Sequence, residues 1–369
     1  MKIGLWGTTT QPPEGMTPTQ SYHAQLDEMV LADQLGFDHY WMFEHHVSPN
    51  SPMPSPNLMI AAAARLTRRI RFGTFMNILP YHHPVRLAGE MAMLDVLTDG
   101  RVDFGIGRGI KPLEFRAFGQ DPKDSREVFQ EGLDTIVRIW SDEPMDFQGR
   151  YFTIRKDTPL APPLVQRPHP PIYASAQSAE SLRWAAERDY PFGQIDATVE
   201  ESENDLRVYR EVQRECGIPQ RKRMYVTREA FVCEDEREAA ELREQVKTFL
   251  VNHWQVFGRY TQFTQAGEMP DSYDAFRKRA PRLYAMSYEE ILEEGLALIG
   301  TPDTIHAQVV ELAERLDLSM LVLHMRFGAM NYDFAAKSMR LFAEAVIPRL
   351  VRAGLLTAEE TRTSGSLPA

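Results

Sequence analysis

Four short stretches of the chain hold side chains that could bind an anion and move a proton. Glu44-His45-His46 sets two imidazoles beside a carboxylate. An imidazole titrates near neutral pH, and an adjacent carboxylate can fix its tautomer or orientation. The same trio also reads as a solvated or structurally hydrogen-bonded histidine pair. Thr74-Phe75-Met76-Asn77 interrupts an apolar run with polar side chains, which are either inward contacts to a ligand or one hydrogen-bonded face. Gly105-Ile106-Gly107-Arg108-Gly109 places a planar guanidinium among glycines, so a phosphate or carboxylate can approach the backbone closely. Ala176-Gln177-Ser178-Ala179-Glu180-Ser181 offers hydroxyls and amides at the start of a helix. That is an anion site by dipole and donor geometry, or an ordinary N-cap at Ser178. Together the stretches describe a site for a phosphorylated cofactor.

Each stretch ends or follows an expected strand. Two hydrophobic periods alternate along the chain, the pattern of repeated βα units and a parallel sheet. Strands are expected at 2–6, 38–43, 70–79, 102–106, 172–175, 192–195, 223–232 and 320–325. Helices are expected between them, the first opened by Thr17-Pro18 and stopped by Gly36. A hairpin is expected around Gln148-Gly149. No GxGxxG follows the first strand, so a (β/α)8 barrel is favoured over an open doubly wound sheet. In a parallel barrel the chemistry collects at the carboxyl ends of the strands, where these motifs lie. Residues 1–357 are expected to form one barrel domain, with an aperiodic, lid-like insertion at 256–286 and a frayed tail at 358–369.

With 43% hydrophobic and 25% charged residues the composition is that of a packed globular protein. The net charge of -11 disfavours nucleic acid and anionic lipid as partners, leaving small molecules and other proteins. No long apolar run or signal-like start is present and the two cysteines, Cys216 and Cys233, show no metal-like spacing. A cytoplasmic protein with free thiols is expected.

From Glu44-His45-His46, Gly73 to Pro84, Gly100 to Gly109 and Gly300-Thr301-Pro302, the sequence strongly resembles the bacterial luciferase-like flavin monooxygenases, from first strand to last helix. The resemblance implies a barrel that binds FMN as FMNH2, reduced by a separate NAD(P)H-dependent flavin reductase. Oxygen then adds to flavin C4a, and the peroxide so formed oxidises a small organic substrate. It further implies His45 as a catalytic base beside the ring, with Glu44 adjacent, and Arg108 on the phosphate. Ala176, Gln177, Ser178 and Ser181 belong to the segment that cradles the same phosphate. Thr74, Phe75, Met76 and Asn77 line the flavin, with a non-prolyl cis peptide in several members. Gln177 and Gly107 stand where the luciferase large subunit has a glutamate and a reactive cysteine, so those two roles are not carried over. Homodimers or heterodimers are common among relatives.

Three rival readings remain. Relatives on the same fold use the deazaflavin F420 for hydride transfer without oxygen. A non-catalytic partner subunit is a second, disfavoured by the presence of His45 and Arg108. A metal-dependent barrel hydrolase is the third; it needs convergent ligands such as His-x-His after the first strand, which this chain lacks, so no metal site is expected.

Overall fold

The computed structural model describes residues 1–7, 13–48, 52–141, 146–155, 161–261, 270 and 273–356, with backbone alone at 256–261 and 275–277. The expected tail lies outside these residues. Strand β1 (Lys2–Gly7) leads through helix α1 (Pro18–Leu35) to β2 (His39–Met42), α2 (Pro56–Ala64), β3 (Arg71–Thr74), a two-residue β4 (Asn77–Ile78), α3 (Pro84–Leu97) and β5 (Val102–Gly107). Next come α4 (Pro112–Ala117), α5 (Ser125–Trp140) and a hairpin of β6 (Phe147–Gln148) and β7 (Thr153–Ile154). Strand β8 (Ile172–Ser175), α6 (Ala179–Glu187), β9 (Phe192–Gln194), α7 (Val199–Glu215) and β10 (Met224–Val232) follow. The last part holds α8 (Glu236–Thr261), α9 (Asp274–Leu283), α10 (Tyr288–Glu293), β11 (Ala297–Gly300), α11 (Pro302–Leu316), β12 (Met320–His324), α12 (Tyr332–Leu341) and α13 (Ile347–Arg352).

Parallel pairing runs β1, β2, β3, β5, β8, β9, β10, β12 and back to β1, closing the (β/α)8 barrel of eight strands. Alternation sends every second side chain inward. Trp6, Trp41, Phe75, Tyr225, Met320 and Val322 fill the interior. Room for Trp41 and Tyr225 comes from glycines on neighbouring strands: a Cβ on Gly73 would stand 2.0 Å from the Trp41 ring, and one on Gly193 would stand 2.2 Å from Tyr225. Any larger residue at either position would displace the aromatic layer on which the strand ends rest.

Local signals explain the helices around the ring. Thr17 and Gln20 form a reciprocal cap on α1, and Gly36, at φ 87°, ends it in the left-handed conformation that a side chain resists. Thr198 and Glu201 cap α7 in the same way. At the amino ends of the strands polar groups stitch the elements together. The Asp33 carboxylate accepts from the backbone N–H of Arg68, Arg69 and Ile70 at 2.7–3.0 Å. Asp103 holds Arg71 at 2.6 Å and His39 at 3.0 Å.

Three expectations change. The strand expected over 70–79 is broken into β3 and β4, and the Phe75-Met76 peptide bond between them is cis. The stretch 256–286 is not aperiodic throughout: α8 continues to Thr261 and α9 covers Asp274–Leu283, while 262–269, 271 and 272 lie outside the described residues. The longer α8 has a tertiary cause, because Val246, Leu250 and Trp254 bury a second apolar cluster with Leu283 and Ile291. Finally α4, α10, β11 and α11 have no counterpart in the expected pattern, although Thr301 caps α11 ahead of Pro302. Both cysteines are free, Cys216 exposed and Cys233 buried. Among the described residues no helix is long and apolar enough to cross a membrane.

Candidate active site

A cavity opens where the chain leaves β2, β3, β5, β8 and β9, at the carboxyl ends of the strands. At one end it carries positive charge. The Arg108 guanidinium, just past β5, lies 4.5 Å from the centre of the Tyr273 ring. Arg126, in the first turn of α5, lines the same space, and burial together with the neighbouring Arg108 charge lowers its pKa. Glu180, itself exposed, reaches Arg126 at 2.8 Å. Ser178 and Ser181 cap the start of α6 reciprocally and also line the cavity, so the ordinary N-cap and the anion-site readings of Ser178 are compatible. Two guanidiniums lining one cavity beside a helix N-terminus favour an anion there. Phe43, Phe75, Met76 and Ile110 supply apolar walls suited to a flat ring. The residues present therefore suit a phosphate-bearing flavin.

The other working end surrounds His45, whose backbone N–H is anchored by the Met53 carbonyl at 2.9 Å. Burial and the Lys111 charge lower the His45 pKa and outweigh the carboxylates that raise it. The balance favours the neutral ring, the form that can accept a proton. Its expected carboxylate neighbour does not serve it. Glu44 lies 2.7 Å from His46 Nε2 and 2.9 Å from His82 Nε2, and it accepts from the Ile78 N–H at 3.1 Å. Burial works to raise the Glu44 pKa, yet these hydrogen bonds hold it at about 2. The carboxylate at His45 is instead Glu114 of α4, with Oε1 3.3 Å from Nδ1. Lys111 stands 3.8 Å from the same oxygen, and burial pulls its pKa down to about 8.

Of the expected cofactor residues, Phe75, Met76, Arg108, Gln177, Ser178 and Ser181 line the cavity together with His45 and Glu44. Thr74, Asn77 and Ala176 stand behind its wall. The Thr74 hydroxyl donates to the Gly105 carbonyl at 2.9 Å and accepts from its N–H at 3.0 Å. The Asn77 amide faces Glu44 and Asn57 at 3.3 Å each. Ala176 is buried and its carbonyl accepts from Gln194 at 2.6 Å. Gln177 donates to the Ile195 carbonyl at 2.8 Å. Across the cavity, Tyr273 donates to the Gly109 carbonyl at 3.0 Å, and Tyr284 donates to Asp196 at 3.1 Å. Burial and the Glu229 charge raise the Asp196 pKa to about 6.

Sequence reasoning missed Arg126, Lys111 and Glu114. Arg126 did leave a signal: a cation in the first turn of a helix opposes the helix dipole and calls for a compensating anion. Lys111 and Glu114 left none, because their helix is too short to show a period.

A family model described as luciferase-like monooxygenase matches residues 1–318. The oxygenase component of flavin-dependent trigonelline monooxygenase from Acinetobacter baylyi is 31% identical over 189 residues, 51% of this chain and 52% of that protein. The chain thus spans about half the length of the curated relatives it matches in this way. Among solved structures, monooxygenase RslO1 from Streptomyces bottropensis is 29% identical and superposes with a TM-score of 0.76 over 95% of this chain and 99% of that one. An F420-dependent secondary alcohol dehydrogenase, 18% identical, shares the fold alone at a TM-score of 0.69 over 94% and 98%. With a barrel whose strand-end motifs face one cavity and a family match over 318 residues, the chain belongs to the luciferase-like monooxygenases.

Proposed function

We propose that the chain is the oxygenase of a two-component system: it receives FMNH2 from a separate NAD(P)H-dependent reductase and uses O2 to oxidise a small organic substrate. The observation that carries this reading is that Arg108, Arg126, Ser178 and Ser181 line the same cavity as His45 at the carboxyl ends of the strands. Bound reduced flavin would supply the two electrons that activate O2. The chain's own part is binding, shielding and proton handling. Arg108 and Arg126 hold the phosphate, and Phe43, Phe75 and Met76 enclose the ring and keep water from it. His45, with Nδ1 toward Glu114, accepts a proton at Nε2 from the reacting substrate, and Glu114 stabilises the imidazolium that results.

A second reading, hydride transfer with F420, is favoured by the fold match to the F420-dependent alcohol dehydrogenase. One pair of experiments separates the two. Oxygen uptake with photoreduced FMN and a substrate panel is expected, with no redox change of F420 under anaerobic conditions. Anaerobic oxidation or reduction of F420 by the same panel, without oxygen uptake with FMNH2, would replace the first reading by the second.

A further inference from the structure

Strands β10 and β12 pair in a register that sets Glu229 opposite His324, and both side chains point into the barrel. His253, from α8, closes on the same point: Glu229 Oε1 lies 3.5 Å from His253 Nε2 and 3.9 Å from His324 Nδ1. Among the described residues these are the three His, Cys, Asp or Glu side chains whose ligand atoms all fall within 4.8 Å of one another. All three are buried, His324 at 0% exposure. Neither ring nitrogen of His324 has a hydrogen-bond partner among the described residues, and the Trp6 ring stacks on it with centroids 3.7 Å apart, which fixes its plane. A histidine kept only for packing would hand its N–H to a carbonyl. Two imidazoles gathered on one buried carboxylate, with no other partner for His324, are groups that a cation can satisfy.

We propose that Glu229, His253 and His324 bind one divalent transition-metal ion of the zinc type, held between β10, β12 and α8. Two imidazoles and one carboxylate are the donors that zinc and ferrous iron select, whereas calcium and magnesium demand oxygen-rich shells. Metal–ligand bonds of about 2.0–2.2 Å in a tetrahedron put ligand atoms roughly 3.4 Å apart, against the 3.5 and 3.9 Å found here. The ion ties α8, the helix that leads toward Tyr273 and α9 at the cavity, to two barrel strands. The absence of His-x-His after β1 gave no hint of this set, which the β10–β12 register assembles. The assignment rests on these three side chains and not on the flavin reading.

The test uses the full chain dialysed against EDTA, then titrated with Zn2+ and, separately, with Co2+. One zinc per chain after gel filtration, a rise in melting temperature, and the visible absorption of tetrahedral Co2+ are expected. Losing a direct ligand should cost more than the loss of an outer-shell partner, which is about 10–100-fold. Glu229→Gln, His253→Gln and His324→Ala should therefore bind zinc at least about 100-fold more weakly. His23→Ala, on the exposed face of α1, should bind as the parent does. Substoichiometric zinc in the parent, or parental affinity in a Glu229→Gln or His253→Gln chain with native circular dichroism, overturns the proposal. The two Gln variants decide the matter even if His324→Ala does not fold.

Discussion

The two ends of the barrel each set a histidine against a buried carboxylate, and the two pairs differ in what else surrounds them. At the amino ends of the strands, Asp103 sits 3.0 Å from His39 and 2.6 Å from Arg71, and the Arg71 guanidinium also donates to the Gly100 carbonyl at 2.9 Å. Burial opposes ionisation of Asp103, but these partners win and its pKa is lowered. At the carboxyl ends, Glu114 meets His45 at 3.3 Å and Lys111 at 3.8 Å, and its Oε2 is buried with no hydrogen-bond partner among the described residues. Looser pairing beside a cavity keeps groups available to a ligand, and tight pairing in a closed wall holds strands in register. The comparison teaches that a buried His–carboxylate pair has no fixed meaning; what faces it decides whether it serves stability or chemistry.

Four measurements would break or sharpen that contrast. His45→Ala should slow oxidation of a substrate found in a panel screen by about 100- to 10,000-fold, the usual range for a general base. Flavin affinity and melting temperature should stay near the parental values, and unchanged turnover would remove His45 from the chemistry. At the opposite end, Asp103→Ala leaves Arg71 and His39 without their counter-charge. Denaturant unfolding should show a loss of about 3–5 kcal/mol, with flavin affinity of the folded fraction preserved; a neutral result would mean that this pair is no more structural than the other.

Arg108→Ala should weaken FMN relative to riboflavin by about 1.5–3 kcal/mol, the range for a hydrogen bond to a charged group. Equal affinities of the parent for the two flavins, measured by fluorescence titration, would defeat the phosphate assignment. The smallest effect concerns Lys111, whose pKa falls from 10.5 to about 8 through burial. Between these values the unfolded chain holds a proton that the folded chain has released, so stability rises with pH across the window and is lost as pH falls through it. From pH 8 to 9 the parent should gain about 1 kcal/mol more than Lys111→Met. Identical slopes would show that Lys111 is better solvated than its packing implies.

Much of the barrel was legible because its strands alternate and its helices carry their own caps; Thr17-Pro18 with Gly36 marks both ends of α1 from sequence. Half of the site was legible for a related reason: in a parallel barrel, a residue that follows a strand must face the cavity end, which placed His45, Arg108 and Ser178 together. The rest was hidden where meaning depends on a distant partner. Glu44 is next to His45 in sequence yet holds His82, thirty-eight residues away, because consecutive residues at a strand end point in different directions. Likewise the inward turn of Asn77 toward Glu44 and Asn57 could not be told from a ligand contact until those neighbours were placed.

The sequence alone therefore determined the order of the βα units and the strand ends that carry basic and imidazole groups, since each depends on local periodicity or residue type. Only the tertiary structure decided that Glu114 rather than Glu44 accompanies His45, that Arg126 joins Arg108, and that strand register sets Glu229 opposite His324. The physical reason is one of range: propensity and side-chain volume act within a few residues, whereas charge pairing and ligand convergence act across space between segments whose separation along the chain carries no information about their distance.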